Sequence, residues 1–234
     1  MGLSSDRYNL YVNLGTDCMQ VSRRTQADRT AATRTALIAA GRRLFAEHGF
    51  AGVGTETIVS EAGVSRGALY HQFGDKTELF AAVLAHVEGE ITEQLAAEMF
   101  ADADAAGDFV SLMMRSAEGW LEACQRPDVQ RIVLLDGPSV LGWVRWRAIC
   151  QANVLGLIEG VLAIGVRDGV VLPLPVRPLA HLLLAVADEA ALYVGAAAEP
   201  DAARRDMVAI IRPLIEAITR AQAERLIITP PEGG

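Results

Sequence analysis

From Ala27 onward, apolar residues recur three and four positions apart, the spacing that lays one stripe along an α-helix. Between Ala27 and His48 the stripe holds Leu37, Ile38, Leu44 and Phe45, with Arg34, Arg42 and Arg43 elsewhere and Gly49 as the stop. Thr55 reads as the N-cap of a short second helix with Ile58, Val59 and Ala62 inward, ended by Gly63. Ser65 reads as the cap of a third short helix, with Ala68, Leu69 and Phe73 toward a core and Gly74 at its end. Asp75 and Glu78 have capping-box spacing and open a long helix striped by Phe80, Val83, Leu84, Val87, Ile91, Leu95 and Met99.

Beyond a break at Gly107, the pattern predicts a helix over Asp108–Arg126 closed by Pro127, and a short one from an Asp128 cap to Leu135. Gly137–Pro138 reads as a break, followed by a helix over Ser139–Val166 and a loop over 167–178 containing Pro173, Pro175 and Pro178. Two more helices follow, about 179–198 and 202–224, the second capped by Asp201. Val170–Leu174 is the strand-like run, and its prolines argue against a strand. The expectation is an all-α chain of about nine helices: an irregular extension over 1–24, a three-helix unit over 25–74, a helical body over 75–226 and a tail over 227–234. Met1 and Met19 are both possible starts.

Two short helices joined around Gly63 form a helix-turn-helix, in which a small residue lets the second cross the first steeply. The third helix then presents Ser65, Arg66, Gly67, Tyr70 and His71 outward, small and polar enough for a major groove, while Leu69 and Phe73 point back.

Composition narrows the classes. The 234 residues are 51% apolar and 21% charged, too apolar for a mainly disordered chain. Cys18, Cys124 and Cys150 are too few and scattered for a disulfide framework, which points to a reducing cytoplasm. The net charge of −8 does not suggest nucleic acid; its distribution is uneven, with eight basic and six acidic side chains over residues 20–80 against a strongly acidic remainder. The most apolar stretch, Leu179–Ala198, carries His181 and the Asp188–Glu189 pair, so it reads as a buried or interfacial helix and no membrane partner is expected.

Three other motif-like patterns lack the context their chemistry needs. Gly63-Val64-Ser65-Arg66-Gly67 fits the G-x-S-x-G pattern of a serine hydrolase using Ser65, but that motif needs a preceding strand, and the run before it is helix-periodic. The glycines at 49, 52 and 54 have no Gly-Lys-Ser/Thr after them, so no phosphate loop is implied. His86 and Glu90 share a helix face without a third ligand, so no metal and no cofactor are expected.

Residues 30–80 resemble the DNA-binding region of the tetracycline-repressor (TetR) family of bacterial transcriptional regulators. The carrying segments are Thr35 to Phe50, Gly54 to Val59, and Ala62 through Gly63-Val64-Ser65-Arg66-Gly67-Ala68-Leu69-Tyr70-His71-Gln72-Phe73 to Phe80. Thr57-Ile58-Val59-Ser60 departs from the usual Ile-Ala but keeps the inward face. The resemblance implies a non-enzymatic, ligand-responsive regulator that binds a double-stranded operator as a homodimer.

On that reading Thr55, at a helix N-terminus, holds a phosphate, Tyr70 puts its hydroxyl on another with His71 beside it, and Lys76 meets a third. Ser65, Arg66 and Gly67 are the base-edge candidates, and Arg23, Arg24 and Arg29 form a basic arm. The body is expected to hold a small-molecule effector between Met113, Trp120, Cys124, Trp143 and Trp146, with Asp136, Arg147 and Asp188 as polar contacts. Leu183, Val186, Ala190, Tyr193, Ile211 and Leu214 are the expected dimer interface. The alternative is a helical small-molecule-binding protein without DNA binding.

Overall fold

The computed structural model describes residues 25–100 and 108–219. The extension with Arg23 and Arg24, the Gly107 break and the chain from 220 onward lie outside them.

Among the described residues the chain forms nine helices: α1 (Gln26–Gly52), α2 (Thr55–Ala62), α3 (Arg66–Phe73), α4 (Lys76–Phe100), α5 (Phe109–Ala123), α6 (127–141), α7 (Trp143–Arg167), α8 (Val176–Ala196) and α9 (Pro200–Ala217). The one β feature among the described residues is an isolated antiparallel bridge between Val171 and Thr219, which ties the α7–α8 loop to the end of α9.

Local chemistry sets the first elements. Thr25 and Asp28 form a reciprocal capping box at the start of α1, with backbone-to-side-chain bonds of 2.8 and 3.1 Å. Helix α1 breaks at Gly49 as expected, where φ 69° and ψ 167° are non-helical, and a short helical turn carries the chain on to Gly52. Gly54, not Thr55, is the N-cap of α2, and Thr55 is its first helical residue. Gly63 takes the left-handed conformation (φ 65°) that a side chain would strain, and this turns α2 into α3. Ser65 caps α3 as expected, its Oγ accepting Ala68 N–H at 3.2 Å. Only half of the Asp75–Glu78 box forms: Asp75 accepts Glu78 N–H at 2.8 Å, while the Glu78 carboxylate is held by Arg145.

The middle of the chain departs from the sequence reading. Pro127 opens α6 instead of closing α5, and the Asp128 carboxylate serves Arg42 and Arg126. Gly137–Pro138 does not break the chain, because α6 passes through it after a π-helical turn over Gln130–Asp136. Gly137 is there for close approach: a Cβ would lie 2.6 Å from the Trp146 ring and 2.9 Å from Leu84. The break comes at Gly142, and α7 contains its own π turn over Gln151–Leu155. Glu199, not Asp201, occupies the cap position of α9, with Pro200 at its first turn.

The α4 stripe is buried as read, from Phe80, Val83 and Leu84 through Val87 and Ile91 to Leu95 and Met99. It serves two cores. Near its start it packs with Leu37, Phe45, Ile58 and Leu69 of the three-helix unit and with Ile132 and Trp146 of the body. Further along it joins Met113, Trp120 and Leu121 of α5, Ala190 and Val194 of α8, and Ile211 and Ile215 of α9. Helices α7 and α8 are long and apolar enough to cross a membrane. Both instead pack within the bundle, with α8 against α5, α7 and α9, and an ion pair joins Arg147 of α7 to Asp188 of α8.

Candidate functional site

The outward face of α3 is made of the residues its periodicity assigns there. Leu69 and Phe73 are buried, while Ser65, Arg66, Gly67, Tyr70 and His71 are exposed. Arg66 lies across the Tyr70 ring, 5.5 Å from its centroid, and reaches the Tyr70 hydroxyl at 3.3 Å and Glu56 at 2.8 Å. The guanidinium beside it holds the Tyr70 hydroxyl below the ordinary tyrosine range. Arg66 is thus parked on exposed partners that it can leave at little cost. Nothing inside the protein crowds Gly67, where a Cβ would meet only Ser65 Oγ at 3.9 Å.

Thr55 stands at the start of α2, whose first backbone N–H groups have no partner within the helix. Arg34 covers the Phe73 ring at 4.6 Å, and Gln72 reaches Thr30 O at 3.4 Å, so α3 is fastened to α1 from behind. Lys76 is half-buried and does more than the sequence reading gave it. Its Nζ donates to Phe50 O at 3.0 Å and Val53 O at 2.9 Å and sits 4.0 Å from the Phe50 ring centroid. It therefore closes the C-terminal end of α1, with one N–H left over. Arg29 is exposed at the start of α1.

Ser65 is preceded by helix α2, not a strand, and its Oγ is occupied by the cap, so the nucleophile elbow is absent at this site. His86 and Glu90 form an exposed pair at 3.2 Å, with Arg42 also on Glu90 at 2.5 Å. Among the described residues no group of three potential metal ligands occurs.

The body holds a partly open cavity of about 100 Å³ lined by α4, α5, α7, α8 and α9. Of the residues expected around an effector, Met113, Trp120 and Asp188 line it, and Trp120 Nε1 is held by Ala187 O at 3.1 Å. Arg147 is not on the wall but pairs with Asp188 behind it. Cys124 is buried in the neighbouring core without lining the cavity. Three expectations move elsewhere. Asp136 accepts Phe50 N–H at 2.7 Å and Arg131 at 3.3 Å, which places it at the seam between α6 and α1. Trp146 is buried in that seam, with Nε1 donating to Val133 O at 2.8 Å. Trp143 is 62% exposed.

The sequence reading missed Glu88. It is 1% exposed, lines the cavity, and its Oε1 has no hydrogen-bond partner. Burial pushes its carboxyl up to about 7, with Asp188 adding to the rise while the Cys150 thiol and Arg147 oppose it. Burial likewise lifts Asp188 to about 6 against the opposing pull of Arg147. A signal was available: Leu84, Ile91 and Leu95 lie four before, three after and seven after Glu88, so it sits in the core stripe.

The expected interface residues divide. Leu183, Ala190 and Ile211 turn inward, Leu183 and Ile211 onto the cavity and Ala190 into the core. Val186, Tyr193 and Leu214 are exposed, Val186 and Leu214 also lying on the rim of the cavity, and Leu182 and Ile210 join them in an apolar stripe along α8 and α9.

A helix-turn-helix fastened to a helical body with an internal cavity defines the class of ligand-responsive bacterial transcription regulators. Residues 37–83 match the family described as bacterial regulatory proteins, tetR family, and residues 110–218 match a tetracyclin repressor-like C-terminal domain. The chain is similar to a TetR-family transcriptional regulator from Pectobacterium atrosepticum, with 31% identity, TM-score 0.70, and coverage of 84% of this chain and 98% of that one. It is 41% identical over 81 residues to the HTH-type transcriptional regulator CymR of Pseudomonas putida, covering 35% of this chain and 40% of CymR. It is also 41% identical over 56 residues to the HTH-type transcriptional repressor AcnR of Corynebacterium glutamicum, covering 24% of this chain and 30% of AcnR. The chain thus spans under half the length of these two curated relatives. The protein belongs to the TetR family of bacterial transcriptional regulators.

Proposed function

We propose that the protein is a cytoplasmic, homodimeric repressor that reads an operator through α3 and lets go when a small molecule enters the body cavity. The observation that carries this reading is the double role of α4. Its first turns pack against α1, α2 and α3, and its later turns, at Glu88, Leu95 and Met99, form one wall of the cavity.

In the DNA-bound dimer two copies of α3 sit in successive major grooves, about 34–36 Å apart. Thr55, Tyr70, His71 and the free N–H of Lys76 hold phosphates and set the register, while Ser65, Arg66 and Gly67 meet base edges. Arg66 exchanges Glu56 and Tyr70 for a guanine, and the open space at Gly67 lets the helix backbone approach the groove. The dimer forms through the exposed stripe of Val186, Tyr193, Ile210 and Leu214 on α8 and α9. An effector that moves α4 changes the spacing of the two α3 helices. It does so only to the extent that it binds one spacing better than the other.

A DNA-binding titration across a salt series tests this reading. Specific affinity that falls steeply with salt and with added effector supports it, because phosphate contacts release counterions. A purified chain that takes up small molecules but shows no preference for any duplex contradicts it.

A further inference from the structure

The cavity wall is apolar except at one end. Trp120, Leu157, Leu183 and Ile215 form the body of the chamber, and Glu88, Asp188 and Cys150 lie at the polar end. Ser116 also lines it, but its hydroxyl is committed to Leu112 O at 3.2 Å. The Asp188 carboxylate is committed to Arg147. Glu88 is left with an acceptor oxygen that is buried and unpartnered within the chain. Such groups are rare in folded proteins, and each calls for a partner.

The charges around Glu88 do not balance. Among the described residues Arg147 on α7 is the one cation facing it, against two carboxylates, Glu88 on α4 and Asp188 on α8; the neighbouring titratable groups are the thiols of Cys150 on α7 and of Cys124, the C-cap of α5. With both carboxylates ionised the site carries one uncompensated negative charge in an apolar enclosure. Two states remove it: a proton on Glu88, or a monocation beside it. At about 100 Å³ the cavity offers about two-thirds of the ~150 Å³ apolar cavity that takes up benzene, and its exposed rim at Val186 and Leu214 gives a one-ring body the remaining space.

We propose that the cavity binds a small apolar amine, its ammonium group on the Glu88 carboxylate and its hydrocarbon body between Trp120, Leu157 and Leu183. This rests on the effector reading given above for the same cavity and adds its ligand class. The bound ammonium donates to Oε1 and supplies the missing charge. Empty protein carries a proton on Glu88 near and below neutral pH, so binding displaces that proton.

Calorimetric titration of the full chain with phenylethylamine and with phenylethanol tests the assignment, because the pair differs chiefly in charge. At pH 8 the amine is expected to bind at least tenfold more tightly than the alcohol. Its affinity is expected to fall about tenfold per pH unit well below 7, where a proton competes for Glu88. Glu88→Gln is expected to erase the amine preference and the pH dependence. Glu88→Leu, which keeps the volume without a polar atom, repeats the test should Glu88→Gln fold poorly. No binding of the amine, equal affinities for amine and alcohol, or a preference that survives both substitutions would overturn the proposal. DNA release is read separately. An amine that binds with Glu88-dependent preference but leaves DNA binding unchanged upholds the ligand class and removes the effector reading.

Discussion

Trp146 and Arg147 are neighbours on α7 and face different cores. Trp146 donates to Val133 O at 2.8 Å inside the cluster that holds the helix-turn-helix, and Arg147 pairs with Asp188 of α8 beside the cavity. One turn later Cys150 belongs to the first cluster and lines the cavity as well. This short stretch of α7 lies beside α4 and repeats its double connection, so the two helices join the cavity to the DNA-reading unit as a pair. Two further ties fix the seam: Arg145 chelates Glu78 at 2.6 and 2.7 Å, and Asp136 holds Phe50 N–H.

Trp146→Ala is expected to destabilise the protein by about 3–5 kcal/mol, the cost of emptying a large buried site. Trp146→Phe keeps most of the packing but leaves Val133 O unpaired, a loss of about 1–3 kcal/mol. Urea unfolding of both variants checks the order, and equal losses would show that the hydrogen bond to Val133 O, not the packing that Phe keeps, is what matters.

Glu88 makes stability depend on pH in a known direction. Its carboxyl is raised from 4.5 to about 7 in the fold, so the folded state holds the proton more tightly. That contribution is complete below about pH 4.5 and is lost as pH rises through about 7, by roughly 3 kcal/mol in all. Asp188, raised from 3.8 to about 6, acts in the same direction at lower pH. Thermal melts of wild type and Glu88→Gln between pH 4 and 8 are expected to diverge in the variant's favour as pH rises. Parallel curves would show that Glu88 is solvated in solution.

Lys76→Ala is expected to lose stability as well as DNA affinity. It removes two hydrogen bonds to the end of α1 and a cation over Phe50, together worth about 1–3 kcal/mol. Denaturation without DNA separates the effects: unchanged stability with weakened binding would leave the phosphate as its sole partner.

Tyr193→Arg and Ile210→Arg test the dimer face without disturbing the core, since both side chains are more than half exposed in the single chain. Sedimentation is expected to give twice the 25.0 kDa chain mass for wild type and the chain mass for the variants, with native helix content retained. Dimeric variants would place the interface elsewhere.

The helix-turn-helix was legible because its boundaries are local. Gly63 needs its left-handed turn and Ser65 its cap whatever else the chain does. The α4 stripe was legible because it keeps one period from Phe80 to Met99. The π turns at 130–136 and 151–155 were not, since their wider winding shifts the helix phase without a residue signature. That phase, together with Gly142, decides why Trp146 is buried while Trp143, three residues earlier, is exposed. Glu88 escaped because a glutamate on a helix rich in Glu90, Glu93 and Glu98 reads as solvated unless its register is checked. Leu183 and Ile211 read as interface because apolar periodicity marks burial without saying against what.

The central claim, that α3 reads base sequence, is tested most directly by selecting bound sites from a pool of random duplexes with the wild-type chain and with Arg66→Ala. The account predicts that wild type enriches a two-fold symmetric site with half-sites about one helical turn apart. Arg66→Ala then relaxes one position in each half-site, at about 1–3 kcal/mol per position. A pool that stays unenriched, or a variant that selects the same site with the same strength, would contradict it.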